Sequence, residues 1–397
     1  MGHPAHPPLI TVAWVTVATL GDASRRIIDG RLAREAIAVC GCAALVWILF
    51  LRGFGPADLS VFVQAGRSVA HGVSPYVEPS SPAVWSGHSF VYPYVVAWFF
   101  VPFAALSMAA AGLVYYIGSV TALVATVRML GGARAGVVPV VLAMTAEPVV
   151  RALQLGTLNV WLLFGLALAW RFRSNRIVLV AAVTAVIVAK LFLLPMLAWL
   201  VLTRRLRAAA ATAVLCVGAV LLGLGMADLS VGSFLHMLSA LSAHETPQSS
   251  SVTSLIQHLG ASSGVASRVA LLLAAIAIGA GWFQARRKSD EAYLFCGCVL
   301  ASLAASPIVW SHYFALLVLI PLTLRWQLRS QLIAWAVSWF VFAPGGAPVL
   351  AVLHPFPGAG WIWGSILAGA AFTWHRRRRP TNERPIEPSA ASITGGR

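Results

Sequence analysis

"RFRSNRIVLVAAVTAVIVAKLFLLPMLAWLVLTRRLR", residues 171–207, places an apolar run, 177–203, between two arginine clusters. Such clusters mark the cytoplasmic ends of membrane segments, so both ends of this run are expected on one side. Two complete crossings would need about 40 apolar residues, more than the run contains. A short helical hairpin meets both conditions, with Lys190 near its turn. An ammonium at the centre of a spanning helix costs about 2.5–3.5 kcal/mol, so Lys190 should face a polar cavity or an anionic partner. The alternative is a lysine that snorkels from a helix end.

The same pattern extends outward along the chain. Hydrophobic residues make up 59% of the 397 and charged residues 10%, against about a quarter charged in soluble chains. Apolar runs recur along nearly the whole length, the signature of an all-α polytopic membrane protein. The net charge of +16 fits basic cytoplasmic loops, and no nucleic-acid partner is expected. Further basic clusters fall at Arg25–Arg34, Arg128–Arg134, Arg286–Lys288, Arg325–Arg329 and Arg376–Arg379. Placing them all inside predicts spans near 36–51, 108–128, 137–150, 158–170, 177–189, 191–203, 208–226, 267–285, 292–306, 313–324, 331–343 and 361–374. The stretches 53–90, 151–159, 227–266, 306–312 and 344–359 then face outward. "FVYPYVVAWFFVPFAAL", residues 90–106, is apolar enough to cross, but a crossing would place Arg128–Arg134 outside. Its aromatics, Pro93 and Pro102 suit an interfacial or re-entrant helix. No cleavable signal peptide is apparent: "LITVAWVTVATL" lacks a basic leader and a convincing cleavage site. The Cys-Gly-Cys triplets, Cys40 to Cys42 and Cys296 to Cys298, lie in apolar runs and read as small hydrophobes rather than metal ligands.

Charges are scarce on the expected outer side, and there the candidate chemistry gathers. Asp58 follows Gly55-Pro56-Ala57 and opens an amphipathic stretch, where a carboxylate serves either as a helix N-cap or as a general base. "RALQLGTLNVWLL", residues 151–163, offers Arg151 for a phosphate and Gln154 and Asn159 for sugar hydroxyls, or for satisfying helix ends. "ASPIVWSHYFAL", residues 305–316, brings Trp310, Ser311 and His312 to another outward turn, with His312 either a proton shuttle or a satisfied interfacial residue. Lys190 is one of two lysines, and the other, Lys288, lies in a basic cluster.

Five blocks occur in an order that resembles glycosyltransferase family 87, membrane enzymes of the GT-C class. They are "DLSVFVQAGRSVAHGVSPY" (58–76), "FVYPYVVAWFFVPFAAL" (90–106), "GTLNVWLL" (156–163), "AKLFLLPMLAWLVLTRRLRA" (189–208) and "SPIVWSHYF" (306–314). The resemblance extends over approximately 36–325. It departs at Tyr94, where the family has a second proline, and at Thr157, where it has a glutamine; Gln154 lies one helical turn earlier. "SVTSLIQHL", residues 251–259, only loosely echoes the family's polar turn in the large outer loop.

The resemblance implies a bundle of about 11–13 transmembrane helices with a long first outer loop bearing short interfacial helices. It divides the chain into a cytoplasmic segment 1–35, a catalytic membrane domain 36–375 and a basic tail 376–397. It implies transfer of a sugar, mannose before others, from a polyprenyl-phosphate donor to a glycolipid or polysaccharide acceptor. The reaction would take place at the outer face of the plasma membrane, with inversion at the anomeric carbon. Asp58 and His312 would act as a catalytic pair, Lys190 and Arg151 would hold the donor phosphate, and Gln154, Asn159, Tyr92, Trp310 and Ser311 would bind sugar or acceptor. No metal or cofactor is expected, since cationic side chains can stabilise the leaving phosphate. A polyprenyl-phosphate-arabinose-dependent arabinofuranosyltransferase is the alternative within the family, and a lipid-linked-sugar flippase the alternative outside it.

Overall fold

The computed structural model describes residues 33–48, 56–131 and 136–342, with side chains as far as 339, and every regular element among them is helical. The expected last span, the outer stretch 344–359, the tail and most of segment 1–35 lie outside the described residues. In chain order, α1 covers 33–48, α2 Ala57–Ala70 and α3 Tyr94–Phe100, which a 3-10 turn prolongs to Phe103. Then come α4 (Met108–Gly131), α5 (Val137–Thr145), α6 (Glu147–Leu155), α7 (Asn159–Arg171), α8 (Arg176–Ala189) and α9 (Met196–Leu202). They are followed by α10 (Leu206–Met226), α11 (Val231–Glu245), α12 (Val252–His258), α13 (Ser263–Lys288) and α14 (Ala292–Ala305). A 3-10 helix over Ser311–Val318 runs into α15 (Leu319–Thr323), and α16 covers Leu328–Phe342.

These boundaries follow the expected spans, and the helical architecture is that of the expected polytopic membrane protein. Three described helices, α4, α10 and α13, are long and apolar enough to cross a membrane, and α5 with α6 would make a fourth, bent by 64°. Six shorter apolar segments, from Tyr94–Phe103 to Arg176–Ala189 in length, extend about 15–21 Å at 1.5 Å per residue, against a hydrocarbon core of about 30 Å. Backbone breaks at membrane depth are tolerated where they are buried in protein or line a polar space. At the α5–α6 break Ala146 is extended (ψ 133°), and Pro148 falls in the first turn of α6, where its missing N–H costs no helical bond.

Residues 176–202 form the expected hairpin. Lys190 is the extended residue (φ −147°, ψ 107°) that ends α8 and precedes the 3-10 turn Leu191–Leu193. The two arms finish together, since Arg176 and Arg204 line one cavity. Glu291 joins this end to α14: its carboxylate pairs with Arg205, lies 3.7 Å from Arg173 and accepts from Trp199 Nε1 at 2.7 Å. Arg171, Asp290 and Arg325 share a neighbouring cavity, so several of the basic clusters gather at one end of the bundle, as their one-sided assignment requires.

Tight helix contacts use small residues. A Cβ on Gly281 would lie 2.8 Å from Tyr293 O, and one on Gly297 2.7 Å from Ala277 O, so α13 and α14 meet backbone to backbone. The second Cys-Gly-Cys triplet is thus a packing seam: Cys296 and Cys298 are buried, free thiols. Residues 94–103 form an element too short to cross, in agreement with the non-spanning reading of 90–106. Arg67 on α2 ties off its far end, donating to Ala104 O (3.1 Å) and Leu106 O (2.8 Å).

Candidate active site

The end of the bundle away from the arginine clusters is built by α2, the segment 84–92, the ends of α6 and α11 and the turn 308–313. Asp58 is not the N-cap of α2. That position belongs to Pro56, and no side chain caps the helix. Asp58 stands in the first turn, and its carboxylate lines a cavity of about 470 Å³. Burial raises its pKa above the usual carboxylate range, and the positive charge of Lys190 draws it partly back down.

Gly156 helps set where Asp58 points. It ends α6 in the left-handed conformation (φ 68°), and its missing Cβ leaves room for Leu59, whose Cβ would otherwise lie 2.6 Å away. The start of α2 thereby rests on the end of α6, which carries Arg151. On the other side of α2, Phe62 stacks on Phe100 with centroids 4.8 Å apart. The Ser-Pro-Tyr turn also takes part: the Tyr76 hydroxyl donates to Tyr92 O at 2.8 Å, anchoring the segment that presents the Tyr92 ring.

Of the residues expected at the site, Asp58, Tyr92, Arg151, Trp310, Ser311 and His312 all line this one cavity. Arg151 Nη1 donates to Gln154 Oε1 at 3.1 Å, and its Nε lies 3.9 Å from Glu147 Oε1. His312 is buried, and no hydrogen bond or ion pair joins it to Asp58. The turn that carries it is docked by the loop between α11 and α12, with Ser250 N donating to Val309 O at 2.7 Å.

Three expectations fall elsewhere. Gln154 does not line the cavity; it holds Arg151 from the side. Asn159 is 0% exposed and donates to Thr157 Oγ1 at 3.1 Å, because it opens α7 and completes the turn after Gly156. Lys190 is 4% exposed and lies behind the cavity wall. Its Nζ sits 3.6 Å from the Tyr313 ring centroid and 5.7 Å from that of Tyr92, with no hydrogen-bond partner. A snorkelling lysine would reach polar surroundings; this one ends among three aromatic rings, the third being Phe192 at 6.0 Å.

The sequence reading gave no role to Tyr313, Ser89 or Glu245, which also line the cavity. Glu245 ends α11, and its neighbour His244 stacks on Trp85 with centroids 5.3 Å apart. Its place among the few outer acids was the available signal. The partner segment 82–89 carries no charge to point back at it.

The cavity therefore combines two carboxylates, an arginine on the wall, an ammonium behind it and several aromatic faces. It can accept a proton, bind an anion and stack on a sugar ring. Among the described residues there is no cluster of His, Cys, Asp and Glu able to hold a metal ion. The sequence model described as Glycosyltransferase family 87 matches residues 90–307, more than half of the chain. The match takes in Tyr92, Arg151 and Lys190; Asp58 precedes it and Trp310, Ser311 and His312 follow it. No curated protein and no solved structure matches the chain.

Proposed function

This chain belongs to glycosyltransferase family 87, and from that premise we propose that it transfers mannose from a polyprenyl-phosphate donor to a glycolipid or polysaccharide acceptor. The observation that carries the reading is the placement of Asp58 and Arg151 on one cavity wall, with the unpartnered ammonium of Lys190 behind it. An acceptor hydroxyl attacks the anomeric carbon, the bond from that carbon to the phosphate oxygen breaks, and polyprenyl phosphate leaves with the electron pair. Asp58 takes the hydroxyl proton. His312 is buried and lies in the positive field of Lys190 and Arg151, which together disfavour a further cation there, so its role is to hold the hydroxyl rather than to keep the proton.

Displacement in one step inverts the anomeric centre, so a β-linked donor gives an α-mannoside. Arg151 meets the departing phosphate directly, and Lys190 adds its charge from behind Tyr313. Such fixed cations stabilise developing negative charge without reorganising. The basic end of the bundle suits the cytoplasm, which would open the cavity to the outer face of the plasma membrane and to cell-wall glycolipid assembly.

Purified protein in lipid, supplied with labelled polyprenyl-phosphate mannose and a total glycolipid extract, should label a glycolipid with an α-linkage. Labelling from the corresponding arabinose donor alone would keep the chemistry and overturn the sugar. Transfer from neither donor, together with movement of intact donor across the bilayer, would establish a flippase instead.

A further inference from the structure

The opposite end of the hairpin holds a second cavity, of about 520 Å³, into which Arg173, Arg176, Arg204, Arg205 and Arg207 all converge. Basic residues at this end are the rule for a membrane protein; here five line one open groove, with Arg176, Arg204 and Arg207 exposed. Glu291 answers only Arg205 and Arg173. Among the described residues Arg176, Arg204 and Arg207 have no carboxylate partner. The backbone adds to the same sign at α10, which begins at Leu206 on the cavity wall with no side-chain cap, whereas Asn175 already accepts from the first N–H groups of α8. Helix N-termini favour anions. Arg204, held in the left-handed conformation (φ 60°), reverses the chain from α9 into α10 and so brings both arginine-bearing arms to one place.

We propose that this cavity binds the phosphate of an anionic phospholipid. The phosphate provides the charge that Arg176, Arg204 and Arg207 lack, and guanidinium groups match its geometry in pairs. Flanking side chains favour a lipid over free phosphate. Ile177 is 81% exposed, Leu206 61% and Leu202 40%, so apolar surface fit for acyl chains borders the arginines. Basic pockets between membrane helices bind lipid headgroups in this way. The site lies at the foot of α8, about 21 Å along the helix from Lys190 at 1.5 Å per residue, so the lipid braces the hairpin that supports Lys190. The proposal is independent of the transfer chemistry.

The test is a thermal-shift titration of the full chain in detergent with short-chain phosphatidylglycerol, phosphatidylcholine or inorganic phosphate. Native mass spectrometry of the same samples counts retained lipid. Phosphatidylglycerol should raise the Tm and be retained, and Arg176→Gln/Arg204→Gln/Arg207→Gln should weaken it by at least about tenfold. If the triple variant does not fold, Arg207→Gln alone should still reduce retention severalfold. An equal shift with phosphatidylcholine, a full shift with inorganic phosphate, or unchanged retention in the variants would overturn the proposal.

Discussion

Asp58 and Lys190 are electrostatically linked without touching, and that link has a sign. Burial raises the Asp58 pKa and Lys190 lowers it. A base must be deprotonated to work, so kcat/KM should fall on acidification at a pH above the ordinary carboxylate range. Removing the ammonium in Lys190→Gln removes the lowering influence, so the acid limb should move to still higher pH, alongside weaker use of donor. A pH profile of both proteins checks this; a limb that stays put or moves down breaks the link. His312 tests the pairing: if it and Asp58 grip one hydroxyl, Asp58→Asn/His312→Ala should be barely slower than the worse single variant, because groups acting as a unit are non-additive. Multiplicative losses would separate them. At this scale the sequence pointed to Asp58, Arg151, Tyr92, Trp310, Ser311 and His312 because polar groups at outward turns are few. Asn159 and Gln154 carry the same kind of side chain, but local geometry turns them to helix ends and to Arg151. Nothing in their sequence neighbourhood reports that turn.

At the scale of elements, Gly156 couples the end of α6 to the start of α2. Gly156→Ala meets Leu59 at 2.6 Å and must also hold a left-handed φ. It should cost about 1–3 kcal/mol of stability and displace Asp58, lowering kcat as well. Gly260→Ala is the control, since Gly260 has φ 93° with nothing within 4 Å of its Cβ position. It should lose stability and leave kcat unchanged, as read by thermal unfolding and turnover on the same preparations. Equal kcat in both variants would show that the contact does not position the site. The hairpin 176–202 was legible because charge clusters and run length constrain it jointly. The bend between α5 and α6 and the short apolar helices were not. Hydropathy records that a run is buried, but does not say whether lipid or a cavity-bearing bundle surrounds it.

For the whole molecule, the account requires the cavity and the arginine cluster to lie on opposite sides of a membrane. Cysteines placed at the exposed positions His88, Gln248 and Arg287 should react with an impermeant thiol reagent on intact cells at the first two only, relative to wild type. Labelling of His88→Cys and Arg287→Cys from the same side would overturn the topology. The global plan was readable because the polytopic class follows from composition and several of the described basic clusters share one end. The wall contributed by α11 was hidden, since its contact with residues 82–85 depends on long-range packing against a segment that carries no charge. The central claim is that Asp58 performs the proton transfer of a glycosyl transfer within this cavity. The most direct measurement is label transfer from saturating polyprenyl-phosphate mannose by wild type and Asp58→Asn, with donor binding recorded on the same samples. The account predicts equal donor binding and a transfer rate lower by about 10²–10⁴-fold in the variant; transfer by Asp58→Asn at the wild-type rate would contradict it.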